Sequence, residues 1–161
     1  MIVLRRFRPT DAPALLSLFR DTIHRVNCRD YTPEQINAWA SGEIDVAAWN
    51  DRFAGRFVIV AEQANRPVGF AELEDDGHID RFYVSADHQG QGIGRQLIET
   101  LVDEAMRLAI PRLYVEASIT AKRFFVANGF AVLAQQSVLC RGVALDNFQM
   151  QRTLGRPPTA E

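Results

Sequence analysis

Apolar and polar positions alternate along "IVLRRFR" (2–8), and this period of two predicts an opening strand. The period then lengthens. Leu15, Leu18, Phe19, Ile23 and Val26 fall on one helical face behind Thr10 and Asp11, which offer a cap. "TPEQINAWA" marks a second helix start, with Thr32 as cap, Pro33 in the first helical position and Gln35 completing a capping box. "VAAWNDRFAG" predicts a short helical piece ending at Gly55. From Arg56 the chain returns to strands: "RFVIVAE", "VGFAELE" and, after the tight turn Asp75–Asp76–Gly77, "HIDRFYV".

A long helix follows, with Ile93, Leu97, Ile98, Leu101, Val102, Ala105 and Leu108 on one face, and Pro111 stops it. "RLYVEA" is a strand. "SITAKRFFVANGF" is a helix capped by Ser118 or Thr120 and ended by Asn128–Gly129. "AVLAQQSV" and "NFQMQRTL" are the closing strands, with Arg141 and Gly142 shaping a turn between them. The order β-α-α-(α)-β-β-β-α-β-α-β-β predicts an α/β fold, one mixed sheet with helices on both faces. No repeat or linker interrupts it, so residues 1–154 are expected to form one domain, and "GRPPTAE" (155–161) a frayed tail.

Composition changes this picture little. A net charge of −2 recruits neither nucleic acid nor an anionic membrane. Cys28 and Cys140 are too few for a disulfide framework and lack metal-site spacing, so no metal is expected. No apolar run approaches the ~20 residues of a membrane span. The expectation is a reduced, cytoplasmic domain.

The stretch "QGQGIG" carries the chemistry. Its three alternating glycines join a strand to a long helix, whose first N–H groups and positive dipole end make an anion site. A dinucleotide fingerprint fails because Arg95 stands where its third glycine belongs, and a P-loop fails because Arg95–Gln96 replaces Lys–Ser/Thr.

The pattern that does fit is Gln/Arg-x-x-Gly-x-Gly/Ala, here Gln89-Gly90-Gln91-Gly92-Ile93-Gly94 behind "DRFYV". It resembles the acyl-CoA pyrophosphate motif of the GCN5-related N-acetyltransferase (GNAT) family. "RLYVEASITAKRFFVANGF" is similar to the strand and helix that follow in that family. "YTPEQINAW" and "ASITAKRFF…CRG" resemble segments of a YafP-like bacterial subgroup. The resemblance implies a mostly antiparallel GNAT-type sheet with a splayed central strand pair, and an N-acetyltransferase with acetyl-CoA as co-substrate. The acceptor would be a small-molecule or peptide amine attacking directly in a ternary complex. Exposed late-strand edges often pair in such domains, so a homodimer is possible.

Carried over by position, Phe82, Tyr83 and Val84 would hold pantetheine and the acyl carbonyl, with backbone N–H groups near Tyr83 and Val84 serving the oxyanion. Gln89, Gly90, Gln91, Gly92, Ile93, Gly94 and Arg95 would hold the pyrophosphate. Ser118, Lys122 and Phe125 would line the far side of the cofactor. Two positions depart from the pattern. Ser118 replaces a common Asn, and Phe125 replaces a Tyr that often protonates the leaving thiolate.

Amine acylation requires a proton acceptor. Asp80 and His78 share a strand face just before the pantetheine strand and are the catalytic candidates, Asp80 first. Glu72 and Glu116 read as solvated strand positions, Glu74–Asp75–Asp76 as a solvated hairpin tip, Trp39 and Trp49 as helix core or lid aromatics. Cys140 is a weak alternative acid. A non-catalytic acyl-CoA-binding module remains the alternative: Phe125 favours it, and His78 and Asp80 oppose it.

Overall fold

The computed structural model describes residues 1–155, so all of the expected tail except Gly155 lies outside the described residues. Seven strands form one sheet: β1 (Ile2–Arg6), β2 (Phe57–Gln63), β3 (Arg66–Leu73), β4 (His78–Val84), β5 (Arg112–Ser118), β6 (Ala131–Cys140) and β7 (Val143–Thr153), in the spatial order β1-β2-β3-β4-β5-β7-β6. Every neighbouring pair is antiparallel except β4–β5. Strand alternation divides the core. Val58, Val60 and Phe70 face α1 (Ala12–Arg25), α2 (Pro33–Trp39) and α3 (Val46–Asp51), while Ile59, Ala71 and Ile79 face α4 (Ile93–Arg107) and α5 (Lys122–Ala127).

The Thr32–Gln35 capping box forms in both directions, at 3.2 and 2.8 Å, behind Pro33. Asp11, expected to cap α1, instead takes both Nη atoms of Arg5 at 2.8 Å and the Arg8 N–H, and a single 3-10 turn leads into the helix. The helix expected from Ser118 is shorter. Ser118 Oγ accepts the Ala121 N–H, Thr120 turns its hydroxyl elsewhere, and α5 starts at Lys122 without a side-chain cap. β6 and β7 continue to a two-residue turn in which Arg141 (φ 47°) and Gly142 (φ 79°) are both left-handed, the geometry of a tight hairpin.

One irregularity positions everything that follows. Ala71 pairs with Phe82 and Leu73 with Ile79, so β4 sets two residues, Asp80 and Arg81, opposite the single Glu72 of β3. This bulge at Asp80–Arg81 bends and twists the strand. β4 consequently meets β5 only at His78–Tyr114 and Ile79–Val115, then diverges, and the sheet opens between Phe82–Val84 and the end of β5.

Candidate active site

The opening continues into a cleft of about 930 Å³, at the upper end of ligand-pocket sizes. Eleven of the thirteen residues expected along the cofactor line it: Phe82, Tyr83 and Val84; then Gln89, Gly90, Gly92, Ile93, Gly94 and Arg95; then Ser118 and Phe125. Gln91 is exposed on the loop, and Lys122 places its ammonium 4.3 Å from the centre of the Phe148 ring; neither lines the cleft.

The glycines have separate reasons. Gly92 is the N-cap of α4 at φ 81°, and a Cβ built there meets no atom within 4 Å. Gly94 packs under Phe124, whose ring a Cβ would approach to 2.9 Å. The first turn of α4 carries no side-chain cap and no acidic residue, so its N–H groups face the cleft undiminished. Gln89 shapes the loop, donating to the Val84 carbonyl at 2.7 Å.

Backbone direction along β4 follows from its pairing. The Ser85 N–H donates to Val68 O on β3, so alternation turns Tyr83 to β3 as well and turns Phe82 and Val84 into the opening. The N–H groups available there are those of Phe82 and Val84. Tyr83, expected to contribute a backbone donor, contributes its side chain, which packs edge-on to Phe19 on the α1 side.

On that side lies a second cavity of about 360 Å³, and Tyr83 and Ser118 line both. Its walls combine aromatic rings, among them Tyr31, Trp39 and Trp49, with charged side chains, and Cys140 stands at the hairpin end. The Tyr31 hydroxyl donates to Asp146 O at 2.6 Å and accepts the Ile119 N–H at 2.9 Å, tying the end of β5 to β7. Burial raises the Tyr83 phenol above its ordinary range, with the Trp39 indole working against it, so Tyr83 keeps its proton.

The two catalytic candidates differ in setting. Asp80 lines the second cavity but is clamped by Arg56 and by Arg52 Nη2 at 2.7 Å. Burial opposes its charge, yet the two guanidinium groups outweigh burial and hold the carboxyl below the usual range. Such a carboxylate is a weak base. His78 lines neither cavity; its Nδ1 meets Glu74 at 2.8 Å and its Nε2 meets Glu116 at 2.5 Å. Burial lowers its pKa, but both carboxylates outweigh that and raise it above the ordinary value. Glu116, read from sequence as a solvated position, carries this pair into the second cavity, two residues before Ser118.

Glu72 is a clear correction. It is 0% exposed and grips Arg81 through both oxygens, because β3 is covered on both faces. Burial pushes its carboxyl up, against the pull of Arg81. Sequence reasoning also missed Thr120, which lines the cofactor cleft and whose buried Oγ1 has no partner among the described residues. A hydroxyl in a predicted helix cap carries no signal of this use.

Residues 27–152 match the family described as the acetyltransferase (GNAT) domain. The N-acetyltransferase YafP of Escherichia coli K12 is 34% identical over 150 residues, 93% of this chain and 95% of that protein. A GCN5-related N-acetyltransferase structure from Rhodopseudomonas palustris superposes with a TM-score of 0.91 at 34% identity, covering 94% of this chain and 95% of that one. The PaiA N-acetyltransferase of Thermoplasma acidophilum, solved in complex with coenzyme A, shares the fold at 16% identity with a TM-score of 0.77, covering 96% of this chain and 99% of that one.

Proposed function

Because the chain belongs to the GNAT acetyltransferase family and is an acyltransferase, we propose that it acetylates an amine seated in the second cavity, by direct attack in a ternary complex with acetyl-CoA. The observation that supports this most is that the two cavities share Tyr83 and Ser118 at the point where β4 leaves β5. A binding module needs only the first of them.

The residues suit the cofactor. Open space at Gly92, the uncapped first turn of α4 and the unpartnered Thr120 hydroxyl match a pyrophosphate and a polar pantetheine arm. When bound, acetyl-CoA supplies an activated thioester. The Phe82 and Val84 N–H groups lie about 7 Å apart along the strand, so one would donate to its carbonyl oxygen and the other to the pantetheine arm, and the Phe82–Phe124–Phe125 rings would exclude water beside it. Glu116, backed by His78, takes the proton from the incoming ammonium; Asp80 holds Arg52 and Arg56 in place. Phe125 cannot donate a proton, and Tyr83, common to both cavities, takes that role.

The test is thiol release from acetyl-CoA across a broad amine panel, with mass detection of the N-acetyl product. Product from at least one amine, with Glu116→Gln slower by about 10²–10⁴-fold, supports the reading. Coenzyme A binding without acetylation of any amine overturns it.

We also propose self-association through β6. This ten-residue edge strand has no charged residue or proline, and exposes Leu133 (54%) and Leu139 (79%). Edges of that kind invite pairing, and an antiparallel copy of the same strand matches its length and composition.

A further inference from the structure

Three buried side-chain atoms lack a hydrogen-bond partner among the described residues: Arg81 Nη1, Asn147 Oδ1 and Thr120 Oγ1. All three belong to residues that line the two cavities. A buried polar atom left without a partner is destabilising, so their coincidence with the cavities points to partners that ligands supply. Thr120 lines the cofactor cleft; Arg81 and Asn147 line the second cavity.

Arg81 is the more specific of the two. Its side chain is 5% exposed, and Nε and Nη2 are spent on Glu72, which stands behind it and does not line the cavity. Trp49 and Phe53 cover the guanidinium at 4.1 and 4.3 Å. Those ring faces stabilise the charge, but the Nη1 hydrogens lie in the guanidinium plane, where stacking cannot satisfy them. Arg52 lines the same end and gives only Nη2 to Asp80. That end therefore presents two guanidinium groups and one carboxylate, with donors to spare. A ligand group there must accept hydrogen bonds, and negative charge suits it best.

Asn147 lies at the other end. It pairs with Ser118 across β5–β7, so the two side chains share a face, and Ser118 is common to both cavities. Its orphaned oxygen requires a hydrogen-bond donor, and an amine N–H supplies one beside the junction where an amine must arrive to react. Asp146 and Glu116 add negative charge along the same two strands. Arg141, also in the lining, is turned to the Ala38 carbonyl at 2.7 Å.

We infer that the acceptor is a small amine that carries a carboxylate, with the carboxylate on Arg81 and the amine nitrogen on Asn147. This rests on the acetyl-transfer reading for its amine end only; the two-point binding stands without turnover.

The experiment compares free L-amino acids with their decarboxylated amines and their carboxamides. Two readouts are taken: acetyl-CoA-dependent thiol release, and calorimetric binding to the protein saturated with coenzyme A. At least one amino acid should be favoured over both of its analogues by roughly 10- to 100-fold in kcat/KM and in affinity, the range of a charge-assisted hydrogen bond. Arg81→Met with Glu72→Gln, which leaves no lone buried charge, should abolish that preference while the decarboxylated amine changes less than about threefold. Should the double variant not fold, Arg81→Lys keeps a cation for Glu72, loses the Nη1 edge and should also abolish the preference. Asn147→Leu should weaken amino acids and plain amines alike. Equal kcat/KM for amino acids and their decarboxylated forms would sink this inference and leave acetyl transfer standing. Arg81-dependent binding of amino acids without turnover would do the reverse, and neither binding nor turnover would overturn both.

Discussion

Thr120→Val separates a structural hydroxyl from one meant for a ligand. The two side chains have nearly the same shape, so the substitution removes one oxygen and leaves packing largely intact. In the free protein Thr120 Oγ1 is buried beside the cofactor cleft without a partner among the described residues. Its desolvation is uncompensated, a cost of about 1–3 kcal/mol. Valine removes that cost, so the free variant should be more stable by an amount of that order, about 1 kcal/mol after relaxation. For a domain of this size, 1 kcal/mol moves Tm by roughly 2–4 °C. Binding should change in the opposite direction. A neutral hydrogen bond contributes a net ~0.5–1.5 kcal/mol, so coenzyme A affinity should fall by about 2- to 13-fold. Urea denaturation without ligand and titration calorimetry with coenzyme A read the two effects separately. A variant less stable than the parent, with unchanged affinity, would refute the argument, because Thr120 would then have an internal partner and no ligand role.

Other outcomes follow from the same geometry. His78 has a folded pKa above its unfolded value, so its ion pairs with Glu74 and Glu116 contribute fully below about pH 6.5 and are lost as pH rises through the raised value. The stability gap between the parent and His78→Gln should therefore be widest near pH 5.5 and close in alkaline urea titrations; a gap that widens with pH contradicts the pairing. Tyr83→Phe should slow turnover without weakening coenzyme A binding, and Phe125→Tyr in that background should restore part of the rate; an unchanged rate in Tyr83→Phe removes it as proton donor. Leu133→Lys on the β6 edge should convert a dimer to a monomer in light scattering, whereas a monomeric parent disposes of self-pairing.

Local rules carried much of the fold. The Thr32–Gln35 cap, the Asp75–Gly77 turn and the glycine loop before α4 each depend on neighbours within a few residues, and each forms where its residues predict. Long-range facts were not legible. Glu72 alternates like a solvated position, and only the covering of β3 on both faces buries it against Arg81. The β4 bulge, which directs Phe82 and Val84 rather than Tyr83 into the opening, depends on register with β3. Asp80 reads as a base until α3 and the segment after it bring Arg52 and Arg56 to it. Arg81, Asn147 and Thr120 escape sequence reasoning for a further reason: what marks them is a partner the protein does not supply.

The central claim is that the first turn of α4 cradles the pyrophosphate of acetyl-CoA, and Gly92→Asp tests it most directly. At φ 81° an aspartate is strained by about 1–2 kcal/mol, and its carboxylate enters open space with no protein atom within 4 Å of its Cβ. The fold should survive while the anion site acquires negative charge. Titration calorimetry with coenzyme A, beside circular dichroism of the same sample, should show native secondary structure and affinity reduced by 100-fold or more, about 2.7 kcal/mol. Native structure with unchanged affinity would place the cofactor elsewhere and contradict the account.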